Sequence, residues 1–325
     1  MAGEPMAGPK IDIVTVSYQR EMALLKLQAR SIRRYVDRDL INKIILIANG
    51  PSSASFLAAV RHEVLPEYGD LAPLVVLVDG ECLCPGLTHE ESGWRTQQAF
   101  KLIAALLVAT PCYLILDTKD HFIRSVSHGS FIADDGRMIS HLASNRVWLR
   151  PMFDASFAYF GVDNTRYLDE SLPQTTPFLV SAGGVRSMLQ WIRQKSGLPL
   201  ASFFRAVFAR PECQLTEFFL IAAFTILRDG TLLHDYAFHP QLGIKLFRTQ
   251  VVTPEMFKVD MEHVGDDQYK TMSLHHGALE ALTAAQRVDI GRAWIARGLI
   301  SDLGEADAFL ALASPASVDS TSATL

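Results

Sequence analysis

Four apolar runs punctuate the first third of the chain, and none of them alternates between hydrophobic and polar positions. They are "KIDIVTVSY" (Lys10 to Tyr18), "NKIILIANG" (Asn42 to Gly50), "PLVVLVDG" (Pro73 to Gly80) and "CYLILD" (Cys112 to Asp117). Between them the period changes. "REMALLKLQARSIRRYV" sets Leu24, Leu25, Ile32 and Tyr35 at helical spacing, "SSASFLAAVRHEV" opens from a serine cap, and "GWRTQQAFKLIAALLVAT" runs on as a long helix. Strands that are apolar on both faces and separated by helices predict an α/β fold, a mostly parallel sheet covered on both sides.

After Arg124 the rhythm is different. Short mixed segments, "RVWLRPMFDASFAYFGV" and "TPFLVSAGGV", interrupt the helical patterns "RSMLQWIRQK" and "QLTEFFLIAAFTILRDG". "TLLHDYAFHP" reads as a strand, and a final helix lies in "LEALTAAQRVDIGRAWIARG". The tail "ASPASVDSTSATL" is small and polar, a composition that does not fold alone. There is no internal repeat and no dividing linker. The expectation is one continuous domain: a flexible N-terminus over 1–9, a ligand-binding half over 10–125, a helix-rich second half over 126–312, and a disordered tail over 313–325.

Composition narrows the partners. Of 325 residues, 49% are hydrophobic and 20% charged, the balance of a folded globular chain, and the formal net charge of -5 argues against a nucleic-acid binder. Cys82, Cys84, Cys112 and Cys213 are too scattered for a disulfide framework, and Cys82-Leu-Cys84 lacks the second pair of a zinc site. Such thiols suit a reducing cytosol. "MAGEPMAGPK" is not a signal peptide, and Glu217 and Arg228 bracket the greasiest stretch, "FFLIAAFTIL", too closely for a membrane span.

In an open parallel sheet, ligands bind outside the carboxyl ends of the strands. The residues expected there are Ser17-Tyr18-Gln19-Arg20, Asn49-Gly50-Pro51, Asp79-Gly80-Glu81 and Asp117 to Asp120. No glycine fingerprint follows the first strand, which disfavours a nicotinamide or flavin cofactor, and no nucleotide-hydrolase phosphate loop is present.

Together, "VTVSY", "IANG" and the acidic "LDTKD" resemble the nucleotide-sugar half of a glycosyltransferase of the GT-A fold. More narrowly, "GWRTQQAFKL", "YLILDTKDHFIR", "TPFLVSAGGVRSML" and "LTEFFL" look like the bacterial DUF6492-type group, over about Asp12 to Lys245. The resemblance implies a Rossmann-type three-layer sandwich with a nucleotide-sugar half over 10–125 and an acceptor half over 126–312. It also implies a soluble, cytoplasmic, bacterial transferase that builds polysaccharide, moving a sugar to a hydroxyl of a glycan or lipid-linked precursor, with room for peripheral contact at the inner membrane face.

In that fold an Asp-x-Asp after the fourth strand holds Mn²⁺ or Mg²⁺ against the diphosphate as a Lewis acid. Here Lys119 stands at the second acid and Asp120 follows it. Either a bulge brings Asp120 to the metal, or Lys119 neutralises the diphosphate without one. His239, in a loose match to a His-x-x-Gly-x-x-Lys segment that ends at Lys245, and His275 are further candidate ligands beside Asp117 and Asp120. The resemblance sets Thr15, Ser17 and Tyr18 against base and ribose, with Asn49 on the base edge and Arg20 on phosphate. Trp94, Gln97, Gln98 and Lys101 share one side of a helix, and Lys101 would reach the diphosphate. Ser181 and Gly183 would let backbone approach a sugar. Glu217 is either a helix-capping acid or the general base of an inverting transfer, with Asp117 and Lys119 completing the catalytic set. The competing readings are a metal-independent or inactive nucleotide-sugar-binding protein and a nucleotidyltransferase.

Overall fold

Seven consecutive residues, Ile11–Ser17, form strand β1, and every one of them is buried. The computed structural model of the chain describes residues 8–50, 53–87, 93–210 and 214–313, so the expectations for residues 1–7 and for the tail from 314 onward lie outside the described residues. Strands β2 (Ile41–Ala48) and β3 (Val75–Asp79) run parallel to β1 on one side, and β4 (Cys112–Asp117) runs parallel on the other. A two-residue turn leads from β4 into the short β5 (Asp120–Phe122). Strand β6 (Phe178–Ser181) closes the main sheet antiparallel to β4, giving the order β3-β2-β1-β4-β6. The parallel core read from the four apolar runs is therefore present, each strand within two residues of its expected ends.

Alternation along the strands assigns the two faces. The Thr15 hydroxyl meets Gln28 on helix α1 (Met22–Tyr35), which lies over one face. Tyr113, on the opposite face of β4, donates its hydroxyl to the Lys101 carbonyl of helix α2 (Gly93–Ile103). Helices α3 (Ala182–Ser196) and α4 (Glu217–Asp229) pack with α2 on that second face. Asp117 is two and four residues along from Ile115 and Tyr113, so its side chain faces the α2 side.

The second half departs from the expectation in three places. "RVWLRPMFDASFAYFGV" is a helix, Arg150–Phe160, stopped by Gly161 at φ 70°. The strand expected at "TLLHDYAFHP" is confined to Tyr236–Phe238. The single final helix is two: it breaks at Thr283, which caps helix α5 (Ala284–Ala296) in a reciprocal box with Gln286, and a further helix, α6 (Leu303–Ala313), follows. The sequence also hid a second sheet. Strands β7 (Gly243–Leu246) and β8 (Thr271–Leu274) lie side by side, and β5 pairs antiparallel with β8.

That small sheet has a hydrophobic core of its own, in which Leu24 and Leu27 of α1 meet Ile123, Met272, Trp294 and Leu310. One polar contact lies within it: Trp294 Nε1 donates to His121 Nε2 at 2.9 Å, both residues being buried. Burial lowers the His121 pKa to about 4, which keeps the ring neutral and able to accept. Trp294→Phe leaves that nitrogen dry and unpaired. Urea unfolding of this variant is expected to show a loss of about 1–3 kcal/mol, the cost of stranding one buried polar atom; an unchanged midpoint would remove the bond from any account of stability.

Candidate active site

Asp117 stands at the carboxyl end of β4, level with Val16 near the end of β1, while Ser17, Ala48 and Asp79 continue the rim across β1, β2 and β3. Its carboxylate is gripped twice. Oδ1 lies 2.6 Å from Lys101 Nζ, and Oδ2 accepts from Lys119 Nζ at 2.5 Å. Lys101 Nζ also donates to Glu217 Oε1 at 3.1 Å, from the first turn of α4. Burial pushes the Asp117 carboxyl up, but Lys101 and Lys119 outweigh it and hold it well below the usual carboxylate range. The reverse applies to both cations: burial works against their charge, yet the facing carboxylates leave the pKa of each raised.

A second charge pair lies directly behind. In the register of the small sheet, Asp120 faces Ser273 and Ser273 faces Lys245, so the three side chains form one cross-strand row. Asp120 Oδ1 accepts from Lys245 Nζ at 3.1 Å and from the Ser273 hydroxyl, while Oδ2 accepts from the Asp117 backbone N–H at 2.9 Å. Lys245 completes its donors on Ser273 Oγ, at 2.7 Å, and the Thr176 carbonyl. Gln28 clamps the turn between the two strands from below. Its Nε2 donates to the carbonyls of Asp117, at 2.7 Å, and Asp120, at 3.0 Å, and its Oε1 accepts from Thr15. The backbone of the Thr118–Lys119 turn is thus held at both ends, and the Lys119 side chain reaches Asp117 while staying partly exposed.

Exposure separates the three lysines. The Lys119 side chain is 24% exposed, against 5% for Lys101 and 11% for Lys245. A ligand arriving at the rim meets Lys119 first. Beside it stand Tyr18, half-buried; Arg20, exposed; and Glu21, whose carboxyl burial pushes up to about 7 against the opposing pull of Thr118 and Lys119. His275 closes the far side, its pKa lowered to about 4 by burial and by the nearby Lys119 and His276.

Besides Asp117 Oδ1, whose close partner is the Lys101 ammonium, the buried atoms Ser17 Oγ, Glu21 Oε2, Asn49 Oδ1 and Gln98 Nε2 have no hydrogen-bond partner among the described residues. Asn49 is otherwise anchored through Nδ2 to the Gly93 carbonyl at 2.9 Å, and Gln97 Nε2 donates to the Val16 carbonyl at 3.1 Å. Trp94 is 54% exposed at the start of α2. Orphaned polar atoms at one strand-end rim are the pattern expected where a polar ligand completes the bonding.

Several candidates fall elsewhere. Thr15 points inward to Gln28 rather than toward the rim, because its position on β1 faces α1. Ser181 pairs with Cys112, at the opposite end of β4 from Asp117 and about 17 Å away at strand rise. Ser181 caps α3 by accepting from the Gly184 N–H, so Gly183 sits in a helical first turn and not in a loop beside a sugar. His239 is exposed after the Tyr236–Phe238 strand, where its backbone N–H donates to Ser140, and no contact joins it to Asp117.

The acids as arranged do not fit a divalent cation. Each Asp117 oxygen has an ammonium nitrogen within 2.6 Å, and the Asp120 carboxylate is 1% exposed with both oxygens bonded within the protein. Asp117, Asp120 and His275 do not converge as a ligand set. Among the described residues the one convergent group of metal-ligand type is Asp229, His234 and Asp235, whose two carboxylates already pair with Arg228.

Glu21, Gln28, Thr176 and Ser273 were not singled out from the sequence. Gln28 had a signal, an amide among Leu24, Leu25, Leu27 and Ile32 on the buried side of a helix. Thr176 and Ser273 needed the second sheet, and Glu21 carried no local signal.

Lys101 is the only cation that touches both Asp117 and Glu217 among the described residues. Lys101→Met is expected to cost about 3–5 kcal/mol, since it leaves buried acids without their counter-charge. Adding Glu217→Gln to that variant should recover part of the loss. Chemical denaturation of the two variants checks this, and strictly additive losses would argue against a shared charge network.

The family of unknown function designated DUF6492 matches residues 10–257. No curated protein matches the chain. Among solved structures, the bifunctional glycosyltransferase WbbM in its apo form is similar at a TM-score of 0.42 and 12% identity, over 91% of this chain and 52% of that one. Mouse xyloside xylosyltransferase 1, also apo, gives 0.42 and 10% over 83% of this chain and 99% of its own. The glycosyltransferase GlyE of Streptococcus pneumoniae TIGR4 gives 0.44 and 11% over 90% and 64%. The chain therefore spans about half of the first of these and less than two thirds of the third. Likeness at these scores assigns no substrate and no residue role. The family match, by contrast, covers well over half of the sequence, and the protein belongs to the DUF6492 family.

Proposed function

We infer that the protein is a glycosyltransferase that takes its sugar from a nucleotide-sugar donor and passes it to an acceptor hydroxyl of a glycan or lipid-linked precursor. The reading rests on the resemblance in "VTVSY", "IANG" and "LDTKD" together with one observation. At the carboxyl end of the fourth parallel strand, a partly exposed lysine is held by an aspartate, beside a rim of unpaired polar atoms. Lys119 is the cation available to a diphosphate, and Asp117 orients it. An ammonium in this position offsets charge on the departing nucleoside diphosphate as it forms, which is the work asked of a cation in such a transfer. Lys101 acts from behind by keeping Asp117 ionised. The carboxyl end of β1, with Ser17 and Tyr18, and Asn49 after β2 face the nucleoside. A divalent metal has no place in this scheme.

A second reading is favoured by Glu217. Its carboxylate is committed to Lys101 and its side chain is 6% exposed, so it is poorly placed to take a proton from an acceptor. A protein that binds nucleotide sugars without turnover fits that observation.

Calorimetry with UDP-, GDP- and dTDP-linked sugars, with Mn²⁺ and with EDTA, tests the proposal. One donor class is expected to bind equally well in both conditions, and Lys119→Ala to weaken that binding at least tenfold with little change in melting temperature. Binding that requires Mn²⁺ and survives Lys119→Ala would overturn the lysine scheme. Binding with no hydrolysis or transfer of the sugar would favour the second reading, and binding of no nucleotide sugar would end both.

A further inference from the structure

Charge at the rim is balanced before any ligand arrives. Asp117, Asp120 and Glu217 are matched by Lys101, Lys119 and Lys245 in direct ion pairs. A diphosphate that settles on Lys119 brings excess negative charge into a partly buried place, and something must compensate. Glu21 differs from the other three acids. Among the described residues it makes no ion pair, and its Oε2 is buried without a hydrogen-bond partner. Its neighbour Thr118 has one hydroxyl proton, and that hydroxyl lies 3.3 Å from the Val16 carbonyl as a donor. Thr118 has that one proton for both neighbours, so it cannot fully serve the Val16 carbonyl and the Glu21 carboxylate at once, and ionised Glu21 is left under-bonded.

We propose, building on the nucleotide-sugar reading above, that Glu21 is the site's proton-exchanging group: the diphosphate of a donor binds at Lys119 together with one proton taken up by Glu21. The groups that face this carboxyl are Thr118 and Lys119 in the turn, Asp117 at the end of β4, Lys101 on α2, and Tyr18 on its own segment, where Arg20 acts on Tyr18; His275 lies near Lys119. Ionised, Glu21 competes with the diphosphate for the Lys119 ammonium. Protonated, it withdraws that competition and offers a hydrogen-bond donor to a phosphate oxygen. Burial has already moved its titration to about 7, so the exchange falls near neutral pH. The sign follows from linkage. The free site loses the proton as pH rises through 7, the occupied site keeps it, and donor affinity falls by up to about tenfold per pH unit above that point.

The test uses UDP-, GDP- and dTDP-linked sugars, whose diphosphates carry no proton that titrates near neutrality. Calorimetry at pH 8 in buffers of differing ionisation enthalpy counts protons directly. The expected uptake approaches one for the wild type and zero for Glu21→Gln, and Glu21→Gln should keep its affinity between pH 7 and 8.5. His275→Gln should retain the uptake. Donor binding with no proton uptake in the wild type overturns the proposal and leaves the transferase reading standing. Uptake that persists in Glu21→Gln and disappears in His275→Gln also overturns it, by moving the proton to the histidine. Binding of none of these sugars overturns the parent reading, and the proposal falls with it.

Discussion

A carboxylate set below the surface at the end of a β-strand cannot stay ionised without counter-charge, and the rim of this protein is arranged around that constraint. Asp117 answers it with two ammonium groups from different parts of the chain, Lys101 from a helix on one face and Lys119 from the turn that follows. The pairing ties α2 to β4 and draws the start of α4 in through Glu217. Removing solvent from ions is costly, and the cost is offset only where the partners are close and the remaining lone pairs are bonded. The close partners are present here on both oxygens of Asp117, which fixes the place of Lys119.

The same logic runs one layer deeper. Asp120 looks in the sequence like a displaced partner of Asp117, but the second sheet turns it away and makes it a support. Its carboxylate receives Lys245 and Ser273 on one oxygen and the Asp117 backbone on the other. Gln28 meets the same turn from α1. The two hydrophobic cores of the molecule therefore meet across a polar seam directly beneath the candidate site, and that seam holds the turn's backbone in place.

The parallel core was legible because four strands buried on both faces leave an unbroken apolar signature, and because helical spacing separates them. Asp117, Lys119, Lys101 and Glu217 were legible as chemistry: charged residues at a strand end, on a helix face and at a helix start. Their mutual arrangement was not, since ion pairs between residues over a hundred positions apart leave no local pattern. Thr15 and the pair Ser181 and Gly183 misled for a simpler reason. Position along a strand does not reveal which face a side chain takes or which end of the sheet a later antiparallel strand will reach. The strands β7 and β8 are four residues each, too short for periodicity to register, and with them Ser273 and the true role of Asp120 stayed hidden. Glu21 was not singled out, because nothing local marks an acid at the start of a helix as buried.

The clamped turn has an evolutionary consequence. Gln28, Asp120 and Lys245 grip carbonyls, an amide and each other, and none of them touches the side chain of residue 119. Its exchange would leave that backbone clamp in place while removing one of the two counter-charges of Asp117. An aspartate there would leave four acids facing two lysines, a surplus of two negative charges that one divalent ion matches. Whatever charge residue 119 carries, the backbone that presents it is set by other side chains, so the charge of the rim rests on one position.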